Sequence, residues 1–188
     1  MIDRAKSLQT SSGLKNISWA IGDVTRLPYK DDSFTVVTSR YAFHHIEHPD
    51  LVLNEMQRVC TVGGMVVVAD ICVSEDETKA AHFNALERLH DPSHLRALPL
   101  SEHIALFESV GLAQPRVAHY KVDFTLSRLL RALGHRPEDA RRAEIMVRES
   151  IAHDALGTQS RIVGDETIFS YPIAVMAARK TRDSESAT

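Results

Sequence analysis

Several short stretches of this chain carry polar side chains at spacings that could do chemistry. Gly22-Asp23 closes a run in which Ile17, Trp19 and Ile21 alternate. A carboxylate at a strand end can accept from an exocyclic amine, and the next backbone N–H can donate to a ring nitrogen. His44-His45 follow the apolar segment 34–39 closely. An imidazole that titrates near neutrality could take a proton from a hydroxyl or an activated carbon acid. The same two histidines could equally be pocket walls with a helix-capping role. His44 and His48 share i,i+4 spacing, the geometry of a metal pair on a helix, but no cysteine or carboxylate completes a ligand set. Pro49 also marks a helix start beyond His44, so no metal site is assigned.

Positioning these groups requires strands that end beneath them. Ile2, Ala5 and Leu8 give helical spacing over 1–9, with Gly13 as the C-terminal cap. A short strand follows at 17–21, then a valine-rich strand at 34–39 of the kind covered on both faces in parallel sheets. The spacing predicts a helix over 50–59, with Leu51, Val52, Met56 and Val59 inward, broken by Gly63-Gly64 before a buried strand over 65–71. Ser74-Glu75-Asp76-Glu77 reads as a capping box for a helix running to about His90. Ser101 is expected to cap a helix over 102–110, stopped by Gly111, and a strand covers 116–122. Leucines 126, 129, 130 and 133 mark a short helix, and Pro137 opens a longer one that ends before Gly157. The last strand spans 173–179, with Pro172 at its start or on an edge because it cannot donate to a ladder.

The order of these landmarks resembles the middle of a class I S-adenosylmethionine (SAM) methyltransferase. The run GDVTRLPYKDDSFTVVTSRYAFHHIEHP, an amphipathic helix, Gly63-Gly64 and VVVADI carry that resemblance, which extends from residue 1 to about 122. It is similar in particular to the ubiquinone- and menaquinone-biosynthesis methyltransferases, although Thr35 stands where that group usually has Asp. The resemblance implies an α/β fold, an incomplete doubly wound (Rossmann-like), mostly parallel sheet with an antiparallel C-terminal strand. It implies one truncated domain over 1–180, with helical cap segments at about 74–100 and 125–160 over the acceptor pocket, and a disordered tail at 181–188.

By the same resemblance the cofactor is SAM, and the reaction is C- or O-methylation of a small-molecule acceptor of quinone or secondary-metabolite type. Asp23 would meet the adenine amino group, the Val24 N–H its ring, and Arg40 the methionyl part. His44 and His45 lie on the rim where the acceptor sits, and both stand as candidates for a catalytic role. A sulfonium needs little acid–base help, so positioning and a dry pocket carry most of the task.

Family members place a glycine-rich turn after their first strand and an acid, which grips the ribose hydroxyls, after their second. Met1 falls just beyond both. In the family's order the absent strands lie between the 17–21 and 34–39 strands. Their loss predicts an unpaired apolar edge on the latter, open to pairing in a homodimer or with a complementing chain, and leaves the 17–21 strand to move or float. Lower stability than a full-length relative and weak SAM binding are expected. The rival reading is a non-catalytic remnant or subunit serving as an interaction module. An NAD-dependent dehydrogenase fits less well, since it needs the same glycine turn and gives no reason for Gly22-Asp23.

Composition narrows the field further. With 188 residues, 44% hydrophobic and a net charge of -3, the chain can bury a core and has no electrostatic reason to bind nucleic acid. No apolar run reaches the roughly 20 residues of a membrane span, and MIDRAKSL lacks a signal core. Cys60 and Cys72, in no metal or redox spacing, read as buried thiols of a reducing cytoplasm.

Overall fold

In the computed structural model, which describes residues 2–181, helices and strands alternate along the chain. The order is α1 (Ile2–Ser11), β1 (Phe34–Arg40), a one-turn 3-10 helix (Phe43–His45), α2 (Pro49–Val59), β2 (Cys60–Val73) and α3 (Glu77–His90). Then come β3 (Leu98–Pro99), α4 (Leu100–Ser109), β4 (Arg116–Thr125), α5 (Leu126–Ala132), α6 (Pro137–His153), β5 (Arg161–Val163) and β6 (Glu166–Arg179). Nearly all of the 181–188 tail expected to be disordered lies outside the described residues.

The main sheet runs β1-β2-β6-β4, with β5 on β6 and the two-residue β3 on β2. β1 and β2 are parallel, while β6 is antiparallel to both β2 and β4. β1, β2 and β4 therefore share one direction and only β6 opposes them, which is the doubly wound arrangement with an antiparallel C-terminal strand. Strand alternation sends successive side chains to opposite faces. Val66, Val68, Ala174 and Met176 pack under α2 and α4 with Leu53, Met56 and Phe107. Ile71, Val73, Phe169 and Ile173 meet α3, α5 and α6 through Phe83, Leu86, Leu129, Leu133 and Val147. Burying each of these large side chains stabilises the fold by roughly 1.5–3 kcal/mol. The leucines of α5 thus serve the core, as does Leu156.

The structure corrects several expectations. Residues 17–21 form no strand: they run as exposed coil beside α1, with Gln9 Nε2 donating to the Ile17 carbonyl and Trp19 Nε1 donating to Gln9 Oε1. A strand needs a ladder partner, and none is offered. β1 is not covered on both faces, since Val36 is 54% exposed and β1 has β2 as its only strand neighbour among the described residues. On α2 it is Leu53 that is buried, while Leu51 points outward. Asp76, rather than Ser74, caps α3 by accepting from the Thr78 and Lys79 N–H groups. α4 begins at Leu100 with Pro99 at its N-cap, so Ser101 lies inside the helix, where its N–H and Oγ donate to the Glu75 carboxylate instead of capping.

Helix α2 ends at Val59, before the glycine pair. Gly63 has φ +80, open to glycine at little cost, and a Cβ on Gly64 would lie 2.7 Å from the Thr35 carbonyl oxygen. The pair therefore allows β2 to pass close to β1 rather than breaking the helix. Pro172 falls inside β6, yet the β2 pairing stops at Ile173, so the proline lies where one side of the strand is locally unpaired. Gly13, with φ +66, follows the end of α1 as expected.

Candidate functional site

Parallel strands aim their carboxyl ends at one rim of the sheet, and in open α/β sheets ligands bind there. β1 reaches that rim at Arg40 and turns sharply through Tyr41, which holds φ +52, a left-handed conformation of about 1 kcal/mol or more for a residue with a side chain. Its N–H donates to the Ala69 carbonyl at 2.8 Å and its hydroxyl meets that of Tyr120 at 2.7 Å. The Arg40 guanidinium stacks 4.6 Å from the Tyr41 ring centre.

Asp70, deep in β2, organises the turn that follows. Its Oδ2 accepts from the N–H groups of Ala42 and Phe43 at 2.9 and 2.8 Å, and its Oδ1 stands 2.5 Å from His44 Nδ1. The Asp70 side chain is 1% exposed and that of His44 9%. Burial pushes the Asp70 carboxyl upward, but the His44 hydrogen bond and charge with the Phe43 and Ile71 N–H groups outweigh it and hold it below the usual range. A carboxylate at Nδ1 assigns the Nδ1–H tautomer and leaves Nε2 as a base. Among the described residues Nε2 has no hydrogen-bond partner.

His44 lines a cavity of about 220 Å³ with Tyr41, Ile71, Glu87, His90, Asp91, Val122, Phe124, Tyr171 and Ile173. Glu87 projects from the inward face of α3 and is 5% exposed. Tyr171 donates its hydroxyl proton to Glu87 Oε1. Burial raises the Glu87 carboxyl to about 7 against the pull of Tyr171 and His44. The Tyr171 phenol is itself pushed well above its ordinary value by burial and by Glu87.

His45 does something else. Its Nδ1 lies 3.0 Å from the Ser93 carbonyl oxygen and its Nε2 4.0 Å from Asp91, so it clasps the loop after α3 and does not line the cavity. His94, 2% exposed in that loop, bonds Asn84 Oδ1 through Nε2, and burial followed by the charge of His44 lowers it to about 4. His48 sits exposed before Pro49 at the N-cap of α2, so the i,i+4 pairing with the buried His44 is never formed on a helix.

Asp23 and Val24 lie on an exposed stretch before β1. Asp23 Oδ1 accepts from the Thr25 N–H and hydroxyl at 2.8 and 2.7 Å, which lowers the carboxyl below its ordinary value. The loop that follows is pinned to α2, where Arg58 donates to Asp31 and the Tyr29 carbonyl and Glu55 accepts from the Leu27 N–H. Among the described residues no hydrogen bond or ion pair joins Asp23 to Arg40 or His44. The structure places Arg40 and His44 at and just past the end of β1, and Asp23-Val24 on the exposed stretch that precedes it.

Asp70, Glu87 and Tyr171 were absent from the sequence reading. An acid inside the apolar run VVVADI was a usable signal, as was a glutamate between Leu86 and Leu89 on the buried side of a helix; Tyr171 offered none.

Residues 1–119 match a family described as a methyltransferase domain. The chain is 36% identical over 113 residues to an uncharacterised methyltransferase, YcgJ, of Bacillus subtilis, covering 60% of this chain and 45% of that protein. It is 39% identical over 61 residues to a demethylmenaquinone methyltransferase of Streptomyces avermitilis, covering 31% of this chain and 26% of that one. The chain thus spans less than half the length of these two curated relatives. The crystal structure of the B. subtilis YcgJ protein superposes with a TM-score of 0.85 at 25% identity, over 96% of this chain and 78% of that one.

Proposed function

Since the chain belongs to the class I SAM-dependent methyltransferases, of the ubiquinone/menaquinone-biosynthesis type, we propose that it serves C- or O-methylation of a small-molecule acceptor held in the cavity beneath His44. The observation that carries this reading is the buried His44–Asp70 pair, whose remaining ring nitrogen has no hydrogen-bond partner among the described residues and lies in a largely apolar cavity wall. No helix among the described residues is long and apolar enough to cross a membrane.

The residues suit the cofactor in part. Asp23 Oδ2 and the Val24 N–H are uncommitted among the described residues and exposed, an acceptor and a donor of the kind an adenine edge needs. Asp23 and Val24 would hold the adenine, and Arg40, exposed at the end of β1, the methionyl carboxylate. When bound, SAM supplies an electrophilic methyl on a sulfonium. His44 Nε2 takes the proton of the acceptor hydroxyl or carbon acid as its nucleophile forms, and Asp70 stabilises the resulting imidazolium and fixes the ring. Ile71, Val122, Phe124 and Ile173 keep water from the reacting atoms. His45 acts only through the loop it clasps.

Residues 1–180 are read as one domain, with α3 and the α5–α6 pair as its cap. The unpaired apolar thiols Cys60 and Cys72 suit a cytoplasmic setting. The β1 edge, with Phe34 and Val36 exposed, supports a second reading in which the fold pairs with another copy or a complementing strand and acts as an interaction module.

Calorimetric titration of the purified chain with SAM, followed by transfer of labelled methyl to a panel of phenols and carbon acids, tests the main reading. Weak SAM binding, with the accompanying methyl transfer lost in His44→Ala, is the expected result. An inert chain that elutes as a tight oligomer supports the module instead.

A further inference from the structure

The cavity beneath His44 has a charge character that the methyl-transfer reading does not require. Its wall holds two carboxyl groups, Glu87 and Asp91, and three aromatic rings, Tyr41, Phe124 and Tyr171, and no lysine or arginine lines it among the described residues. Glu87 is the deepest of the charged groups. Its Oε1 is taken by Tyr171, while Oε2 has no hydrogen-bond partner among the described residues although the residue is 5% exposed. Oε2 is not among the sealed, unpartnered atoms of the described residues; it stays open to the cavity that Glu87 lines and, when the carboxyl is ionised, can accept from something that enters. Two of the same rings already draw cations, with Arg40 over Tyr41 and Arg128 5.0 Å from the Phe124 ring centre, neither guanidinium lining the cavity.

We infer that this cavity selects acceptors bearing a protonated amine, and that Glu87 is the residue that determines the selection. The inference rests on the methyltransferase reading for the word acceptor, but the recognition it describes needs no cofactor. An ammonium group gains a charge-assisted hydrogen bond from Glu87 Oε2 and attraction from the π faces of the rings. A neutral alcohol of the same shape keeps only the hydrogen bond. An anion meets two carboxyl groups, offset only by the imidazoles of His44 and His90 in the lining, so repulsion and desolvation disfavour it. Tyr171 supports the selection by donating to Oε1, which favours the ionised carboxylate and holds its plane. His44, which acts on the nucleophile, lies in the same wall, so the amine is an anchor and the methylated atom is a separate carbon or hydroxyl of the acceptor.

Three matched probes test this with the whole 188-residue chain: tyramine, 4-hydroxyphenethyl alcohol and 4-hydroxyphenylacetate. They share a ring and a phenol and differ only in an ammonium, hydroxyl or carboxylate tail. Binding is followed by calorimetry or NMR titration at about pH 8, where Glu87 is ionised. Tyramine should bind about tenfold or more tighter than the alcohol, and the acid weakest. Glu87→Gln should bring tyramine to within about twofold of the alcohol while leaving the alcohol unchanged. Lowering the pH should erode the preference in the wild type, with His44, His90, Asp91 and Tyr171 the titratable groups that face Glu87; the part owed to Glu87 is the part missing in Glu87→Gln. Equal binding of the three probes, undetectable tyramine binding, or an undiminished preference in a folded Glu87→Gln protein overturns the inference. The wild-type ranking decides the matter alone if that variant does not fold. A chain that ranks the probes as stated but never binds SAM refutes the methyl-transfer reading and spares this one.

Discussion

His44 Nδ1 lies 2.5 Å from Asp70 Oδ1 while the other oxygen of Asp70 holds the Ala42 and Phe43 N–H groups, so one buried carboxylate sets both the turn after β1 and the imidazole tautomer. Asp70→Asn keeps the shape but cannot satisfy the imidazole N–H and both backbone donors with one carbonyl oxygen. The expected cost is about 1–3 kcal/mol in urea unfolding. Because the folded Asp70 carboxyl is depressed, its contribution is present above the unfolded value of 3.8 and disappears as pH falls through the folded value. The gap between wild type and variant should therefore hold from neutrality down to about pH 4 and narrow below it.

His44→Ala should lower turnover by about 10²–10⁴-fold with SAM affinity nearly unchanged, the size of a lost general base. His45→Ala removes a loop clasp and should cost less than about tenfold. Steady-state kinetics on the two variants checks the assignment; equal losses would assign the base wrongly.

Glu87 gives a stability signature of opposite sign. Its carboxyl rises from 4.5 to about 7 on folding, so the folded chain binds the extra proton and stability falls as pH climbs through that window. The full effect is about 3 kcal/mol. His94 opposes it: lowered from 6.5 to about 4, it stays neutral when folded, so its contribution grows with pH over its own window. His90 and His103, both lowered by burial, act in the same direction as His94, so the fall due to Glu87 is masked in the wild-type curve. Subtracting the Glu87→Gln curve from the wild-type curve, by denaturant melts from pH 4.5 to 8, should expose the falling slope.

Gly64→Ala should destabilise by about 1–3 kcal/mol, because the added Cβ meets the Thr35 carbonyl oxygen at 2.7 Å and Cys60 Sγ at 2.8 Å. The contact is with backbone, which cannot swing away. Gly63→Ala meets no neighbour within 4 Å and carries only the strain of its φ of +80, about 1 kcal/mol. Paired thermal melts distinguish the two.

Val36→Lys, at a position 54% exposed, should change stability by less than about 0.5 kcal/mol yet reduce any self-association through β1. Light scattering after size exclusion, compared across protein concentrations, reads the difference. Unchanged association would move the contact elsewhere.

Most elements were legible because their signals are local. The periodicity of α2, the β-branched runs of β1 and the core of β2, and Pro137 at the start of α6 each reflect nearest neighbours in the chain. The misreadings share one cause. A strand at 17–21, a cap at Ser101 and a covered β1 all depend on what lies across space: a ladder partner, the competing Glu75 carboxylate, a second sheet neighbour. Of the candidate site, His44 and Arg40 were visible as polar residues just past an apolar strand. Tyr171, and its meeting with Glu87, were not, since α3 and β6 are 84 residues apart where they meet.

Strand–helix alternation and punctuation, written residue by residue, were enough for the α/β class, and the resemblance carried by the landmarks from Gly22 to Ile71 implied the methyltransferase family. Which histidine joins a carboxylate, which carboxyl is driven to hold its proton, and which strand edge stays open were decided only by folding. Those outcomes depend on burial and on partners distant in sequence, and a titratable group has no fixed charge until its surroundings supply or withhold a solvent.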